Sequence, residues 1–137
     1  MILSKIKKHF TIVLIRLKQN NVLQKIYKEN HPCLHYIYNA FCDIKKKNIS
    51  SEDAKLFLDC ENYRNQLLKN DTLISHDLFG ADRSIKISNI CKRASSHPLW
   101  AQFIFLIIKN IPEPNVFELG TNLGVSGAYI LSALKTK

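Results

Sequence analysis

The residues best suited to chemistry lie in one short segment near the carboxyl end of the sequence. Gly120 and Gly124 bracket a loop, Glu118 stands just before the first glycine, and Ser126 stands just after the second. A β-branched and aromatic run at 115–119 leads into the loop, and apolar residues at helical spacing follow it. This order predicts a strand, a tight turn and the beginning of a helix.

Each of these positions suits the binding of a small zwitterion. Gly120 permits a turn tight enough to leave the end of the strand at once. Gly124 allows a ligand to approach the helix N-terminus, where free N–H groups and the helix dipole favour an anion. Glu118 follows the strand at its carboxyl end, where open α/β sheets bind ligands, and its charge suits an amino group. Together they would hold the amino-acid end of a ligand.

The same spacing is also compatible with a structural strand-to-helix turn that binds nothing. Two glycines four residues apart are common in α/β proteins, so the spacing alone is a weak signal. The loop lacks the GK[ST] of a phosphate-binding loop. It also lacks a full G-x-G-x-x-G, because position 122 is Asn.

Residues 118–126, followed by Ala128-Tyr129, resemble the first cofactor motif of class I S-adenosylmethionine-dependent methyltransferases. The branch they resemble reads ELGTSLGIS and then TAYL. The likeness continues upstream at 77–84, in the helix around Trp100 and at 63–68. It covers about 30–135 and is strongest from residue 77 onward.

This resemblance implies S-adenosyl-L-methionine as cofactor and a set of residues that contact it. These residues are Glu118, Gly120, Thr121, Asn122, Gly124 and Ser126. Glu118 would hold the methionine amino group through water, and Ser126 would bond the carboxylate. Gly120, Thr121 and Gly124 would line the methionine and the ribose. Asp77, Gly80 and Ser84 would close over the site.

The resemblance also implies an α/β fold that is incomplete in this sequence. Residues 1–110 form a helical N-terminal region, and 111–137 form the first strand, glycine loop and helix of a Rossmann-like domain. The later strands, which hold the ribose and adenine, are absent, so the chain as it stands is mostly α. We therefore expect a truncated methyltransferase that has no activity alone and that a C-terminal fragment could complement. The methyl acceptor and the catalytic residues are unknown.

Helix signals occur along most of the chain before the loop. Apolar residues at three- and four-residue spacing predict a helix over 2–19, which either breaks at Asn20-Asn21 or continues beyond it. The residues at this spacing are Leu3, Ile6, Phe10, Val13, Leu14 and Leu17. Pro32 predicts the first turn of a second helix, which ends near Lys45–Lys47.

Further helices are predicted in the middle of the chain. Ser50 with Asp53 is a capping-box pattern that begins a helix over 51–69. The inward residues of this helix are expected to be Leu56, Cys60, Tyr63 and Leu67. Residues 70–84 are expected to be irregular. Two helices follow, over 87–94 and from Pro98 onward, and Trp100 of the second is expected in the core. The final helix covers roughly 124–135.

Charge is concentrated at the beginning of the chain. The net charge is +9, and residues 1–50 hold ten Lys and Arg against only Glu29 and Asp43. Such a face suits nucleic acid, an anionic membrane surface or an acidic partner, although solvated helix faces are the simplest explanation. No helix-turn-helix signature, stacked aromatics or zinc pattern indicates specific nucleic-acid binding.

Cysteine usage and hydropathy favour a cytoplasmic protein. The four cysteines stand far apart, which is typical of reduced thiols and of neither a zinc site nor a disulfide scaffold. His31, Cys33 and His35 alternate, but Pro32 between them indicates a helix beginning, and we expect no metal site. No apolar run reaches the length of a membrane span. The apolar stretch at 11–15 is too short for a signal peptide.

Three function hypotheses follow from the sequence. The first is the N-terminal part of a methyltransferase, supported by the glycine loop and its upstream context. The second is a non-catalytic helical remnant or binding module with a basic N-terminal face. The third, supported only by the pI near 9.5, is a nucleic-acid-binding protein.

Overall fold

The structure is a computed structural model that describes the backbone of residues 2–76 and 81–136 and the side chains of 9–75 and 84–136. Its elements are α1 (Ile2–Lys28), α2 (Pro32–Lys46), α3 (Ser51–Leu68), β1 (Leu73–His76), β2 (Ala81–Lys86), α4 (Ile87–Ala94), α5 (Pro98–Asn110) and α6 (Val125–Leu134). The chain divides into two compact units, Met1–Asn39 and Ala40–Lys137. The boundary expected at 110/111 therefore lies inside the second unit.

The first unit contains α1 and the beginning of α2. The first helix continues through Asn20-Asn21 to Lys28, so the longer of the two predicted alternatives is the one observed. The ring of Tyr27 stacks on His35 with centroids 5.2 Å apart, and it lies 5.1 Å from the ring of Tyr38. Pro32 is the first residue of α2, as predicted. These ring contacts join the two helices across a short turn.

The core of the second unit lies where α3, α5 and α6 meet. Phe57 and Phe105 form an edge-to-face aromatic pair with centroids 4.9 Å apart. Tyr129 packs against the same Phe57 ring and has no exposed surface. Ala101 and Ala133 are fully buried, and their small side chains allow α5 and α6 to approach closely. This core holds the segment between α5 and α6 at both ends.

The beginning of α3 is as predicted, but its inward face is different. The Ser50 hydroxyl accepts a hydrogen bond from the Asp53 N–H at 3.1 Å, which confirms the helix cap. The buried residues of α3 are Asp53, Phe57, Cys60 and Arg64. Of the four residues expected inward only Cys60 is buried, and Tyr63 is 38% exposed. On this face, buried Asp53 pairs with partly exposed Lys109 of α5, and Phe57 and Cys60 belong to the apolar core.

Residues 70–84 were expected to be irregular, and this prediction is wrong for 73–76 and 81–84, which form β-strands. It holds for 70–72, and residues 77–80 lie outside the described residues. β1 and β2 form an antiparallel pair in which Ile74 lies opposite Ile85, and Ser75 lies opposite Ser84. Asp71 joins this pair to α4, because it accepts from Lys86 Nζ at 3.0 Å and from Ser88 Oγ at 3.1 Å. The hydrogen bond from Lys86 is the main reason that the pKa of Asp71 lies below its usual value.

The strand expected at 115–119, on which the Rossmann-like interpretation of the sequence depends, is also absent. The backbone there is irregular and pairs with no strand in the described residues, whose sheet consists of β1 and β2. Phe117 is 86% exposed in consequence. The predicted mostly helical character is confirmed, whereas the described residues contain no parallel Rossmann-like sheet.

Trp100 was expected in the core, but it lies on the surface of α5 with 65% of its area exposed. Its ring forms a T-shaped pair with the ring of Phe103, with centroids 5.9 Å apart. The buried positions of α5 are instead Ala101, Phe105, Leu106 and Ile108. Among the helices that the structure describes, none combines the length and the hydropathy needed to cross a membrane.

Candidate functional site

A cavity of about 420 Å³ opens beside the glycine loop in the second unit. It is lined by Ala94 of α4, by residues 95–96 that follow it and by Ile104 of α5. Its other lining residues are 116–123 and Val125, Ser126 and Ile130 of α6. The cavity thus lies next to the first turn of α6, where backbone N–H groups have no partner within the helix.

Three residues in the loop adopt left-handed backbone conformations. The φ angles are 75° at Gly120, 50° at Asn122 and 74° at Gly124. Glycine takes this conformation without strain, and asparagine tolerates it better than most other residues. The Gly124 N–H donates to the Thr121 carbonyl at 2.9 Å and closes the turn. Asn122 therefore takes, in this loop, the left-handed backbone conformation that a glycine of a G-x-G motif would take.

Glu118 is held against the beginning of α6. The Ser126 hydroxyl donates to Glu118 Oε1 at 2.5 Å. A Cβ atom placed on Gly127 would lie 3.1 Å from Glu118 Oε2 and 3.6 Å from Thr121 Cγ2. A side chain at position 127 would therefore require the carboxylate at the end of the Glu118 side chain to shift by a few tenths of an ångström. A carboxylate in this place interacts favourably with the helix dipole.

This hydrogen bond changes the role available to Ser126. A hydroxyl has one proton to donate, and Ser126 donates it to Glu118. The predicted bond from Ser126 to a ligand carboxylate would have to displace that interaction. The backbone N–H groups of the first turn of α6 are the donors better placed to receive an anion.

Tyr63 of α3 forms a hydrogen bond with the backbone of the loop. Its hydroxyl donates to the Leu123 carbonyl at 2.8 Å. The same oxygen lies 3.8 Å from the place where a Cβ on Gly124 would stand. Tyr63 therefore fixes the loop directly before the helix begins, and a side chain at position 124 would contact it.

A second set of hydrogen bonds lies behind the loop, between α3 and α6. The Tyr129 hydroxyl donates to Glu61 Oε1 at 2.8 Å, and Arg64 Nε donates to both Glu61 oxygens at 2.9 and 3.0 Å. Burial raises the pKa of Tyr129, and the hydrogen bond to Glu61 raises it further. These contacts fix the position of α6, and hence of its first turn, relative to α3.

Most of the predicted site residues meet in this cavity. Glu118, Gly120, Thr121, Asn122 and Ser126 line it. Gly124 does not line it but begins α6 as its N-cap, as predicted. Ser84 is paired within the β1–β2 sheet and is not among the lining residues. Asp77 and Gly80 lie outside the described residues.

Sequence reasoning missed the parts played by Tyr63 and Gly127. Tyr63 was assigned to the inward face of α3, and no local pattern indicates that it reaches a loop 60 residues away. Gly127 had a visible signal, because glycine is unfavourable within a helix and its presence there indicates close packing. The structure supplies the group that packs against it, the Glu118 carboxylate.

Comparison of the chain with models of protein families, with curated proteins and with solved structures found no match.

Proposed function

We propose that this chain is the part of a class I methyltransferase that binds the methionine end of S-adenosyl-L-methionine, within a Rossmann-like domain. The observation that carries the proposal is the placement of the Glu118 carboxylate over the first turn of α6, beside a cavity bordered by the glycine loop. This arrangement offers a carboxylate for an ammonium group and backbone N–H groups for a carboxylate. An α-amino acid carries both of these charges.

The residues of the cavity fit the amino-acid end of the cofactor in chemistry. Glu118 keeps Oε2 available after Oε1 has accepted from Ser126, so it can still receive an ammonium donor. Asn122 and Gly120 shape the backbone that borders the ligand. When bound, S-adenosyl-L-methionine supplies an electrophilic methyl group on a sulfonium. The task of these residues is to hold and orient that donor.

The proposal includes a further segment that pairs with residues 115–119 and supplies the ribose and adenine contacts. Val116, Phe117 and Leu119 are three exposed apolar residues within one short segment. Burial of their side chains against another segment would be favourable. A complementing C-terminal polypeptide that bears the remaining strands is the partner we propose for them. Without it we expect weak cofactor binding and no methyl transfer, because few ligand atoms are contacted.

Nuclear magnetic resonance titration of the ¹⁵N-labelled chain tests the binding site. S-adenosyl-L-methionine and free methionine should each shift the amide signals of Gly120, Gly124 and Gly127, since both carry the zwitterion. Adenosine alone should leave these signals in place. Shifts with adenosine but not with methionine would contradict the proposed orientation, and no shifts with any of the three would refute cofactor binding.

Two variants that each remove one glutamate charge make this titration more specific. Glu118→Gln removes the carboxylate that faces the ammonium group and should weaken binding about tenfold or more, the usual effect of losing a charged hydrogen bond. Glu113→Gln removes the same charge from an exposed position outside the cavity lining and should leave binding unchanged. Equal weakening by both variants would indicate a general charge effect instead of a site.

A further inference from the structure

Within the first unit, α1 carries an apolar stripe that the other described residues of that unit leave exposed. Phe10, Val13, Leu14 and Leu17, which we call the α1 stripe, recur at the spacing of one helix face. All four are exposed, with Phe10 at 64% and Leu17 at 73%. A contiguous apolar face of this kind marks a binding surface, because leaving it in water is unfavourable.

The charges of α1 are all of one sign. The helix contains six lysines and Arg16, and it contains no Asp or Glu. At 3.6 residues per turn, Arg16 and Lys18 lie about 90–110° from the centre of the α1 stripe, one on each side. Both are exposed. Between residues 10 and 18 the helix therefore has an apolar stripe with one cation on either side of it. Ile12 and Ile15 are also exposed, on the side of the helix opposite the stripe.

We propose that the N-terminal half of α1 binds the surface of an anionic phospholipid bilayer, with the α1 stripe in the acyl boundary and the flanking cations at the headgroups. A bilayer surface satisfies the apolar stripe and the cations at once. Nucleic acid offers phosphates but no matching apolar layer. A second copy of α1 would bring cations against cations with no acidic residue on either helix to pair with them. This inference is independent of the proposed cofactor site.

Vesicle co-sedimentation of the full chain tests the proposal. The chain should sediment with vesicles of mixed phosphatidylcholine and phosphatidylserine and should remain in solution with phosphatidylcholine alone. Added salt should release it, because screening weakens the attraction between the cations and the headgroups. Absence of binding to the anionic vesicles, or equal binding to both kinds, would overturn the proposal.

Two charge-matched variants separate the stripe from simple electrostatic attraction. Leu17→Glu places an acid on the α1 stripe and should lower vesicle partitioning at least about tenfold, as expected for loss of one buried leucine. Thr11→Glu makes the same charge change on another side of the helix and should lower partitioning much less. Equal losses in the two variants would refute insertion of the stripe.

A double variant tests the contribution of the cations, and a measurement of molecular mass tests whether a second copy covers the α1 stripe. Arg16→Gln with Lys18→Gln leaves the α1 stripe intact and should weaken binding to anionic vesicles while reducing its salt dependence. Circular dichroism confirms that each variant keeps the helix content of the parent. A dimer in sedimentation equilibrium that Leu17→Glu dissociates would show that a second copy covers the stripe, and would overturn the membrane proposal.

Discussion

The hydroxyl of Tyr63 donates a hydrogen bond to the carbonyl of Leu123 at 2.8 Å. This contact joins the middle of α3 to the residue before the N-cap of α6, and it is the described side-chain hydrogen bond that fixes the glycine loop to another helix. The conformation of the loop therefore depends on α3 as well as on its own glycines.

Tyr63→Phe should loosen the loop with only a small loss of global stability. The variant removes one partly exposed hydrogen bond, for which we expect a decrease of about 1 kcal/mol in the free energy of unfolding. Amide hydrogen exchange at 120–124 should accelerate by more than this global change explains, because the bond acts on the loop directly. Urea denaturation and hydrogen exchange measure the two effects. Tyr27→Phe, in the first unit, should leave exchange at 120–124 unaltered.

Gly127→Ala should stabilise the protein while it impairs the site. Alanine is favoured over glycine inside a helix by up to about 1 kcal/mol. The new Cβ would lie 3.1 Å from Glu118 Oε2, so the carboxylate must shift over α6 by a few tenths of an ångström. We expect a higher melting temperature together with smaller methionine-induced amide shifts. Asn65→Ala, at an exposed position of α3, is a control for the change in helix propensity and should leave those shifts intact.

Lys109→Met should destabilise the second unit more than removal of an exposed lysine does. Lys109 Nζ lies 2.7 and 2.8 Å from the two carboxylate oxygens of Asp53, which is only 4% exposed. Removing the cation leaves a carboxylate buried without this partner. We expect a loss of about 2–3 kcal/mol in the free energy of unfolding, below the full cost of breaking a buried pair because Lys109 is partly exposed.

A control variant and a second substitution test the contribution of the Asp53–Lys109 ion pair. Lys55→Met removes a lysine from an exposed position of α3 and should change stability by less than about 0.5 kcal/mol. Adding Asp53→Asn to Lys109→Met should recover part of the loss, because the uncompensated charge is gone. If urea denaturation gives equal losses for Lys109→Met and Lys55→Met, the ion pair does not stabilise the fold.

Tyr129→Phe should change the response of stability to alkaline pH. Burial and the hydrogen bond to Glu61 raise the pKa of Tyr129 in the folded protein. The neutral phenol therefore contributes stability below its unfolded pKa of about 10, and that contribution is lost as pH rises further. The parent should lose stability above this pH more steeply than the phenylalanine variant does. Tyr27→Phe should retain the steep loss, and parallel curves for parent and Tyr129→Phe would contradict the explanation.

Local chemistry in the sequence was sufficient to predict most helices. Pro32 and Pro98 begin α2 and α5, and Ser50 caps α3, because these signals act within a single turn. Gly124 begins α6 for the same reason. The spacing of Glu118, Gly120 and Ser126 likewise brought them into one prediction, since they are close in the chain and reach one cavity.

Contacts between distant segments decided the remainder. Pairing of Ile74 with Ile85 makes a sheet where the sequence indicated irregular chain, whereas 115–119 have no strand partner among the residues that the structure describes. The Asp53–Lys109 pair and the core contacts of Phe57 and Cys60 show which face of α3 is buried. A strand or a buried face is defined by what lies opposite it, whereas a cap or a proline turn is defined by its immediate neighbours. The sequence alone therefore determined where the helices begin, and only the tertiary structure decided which of their faces meet.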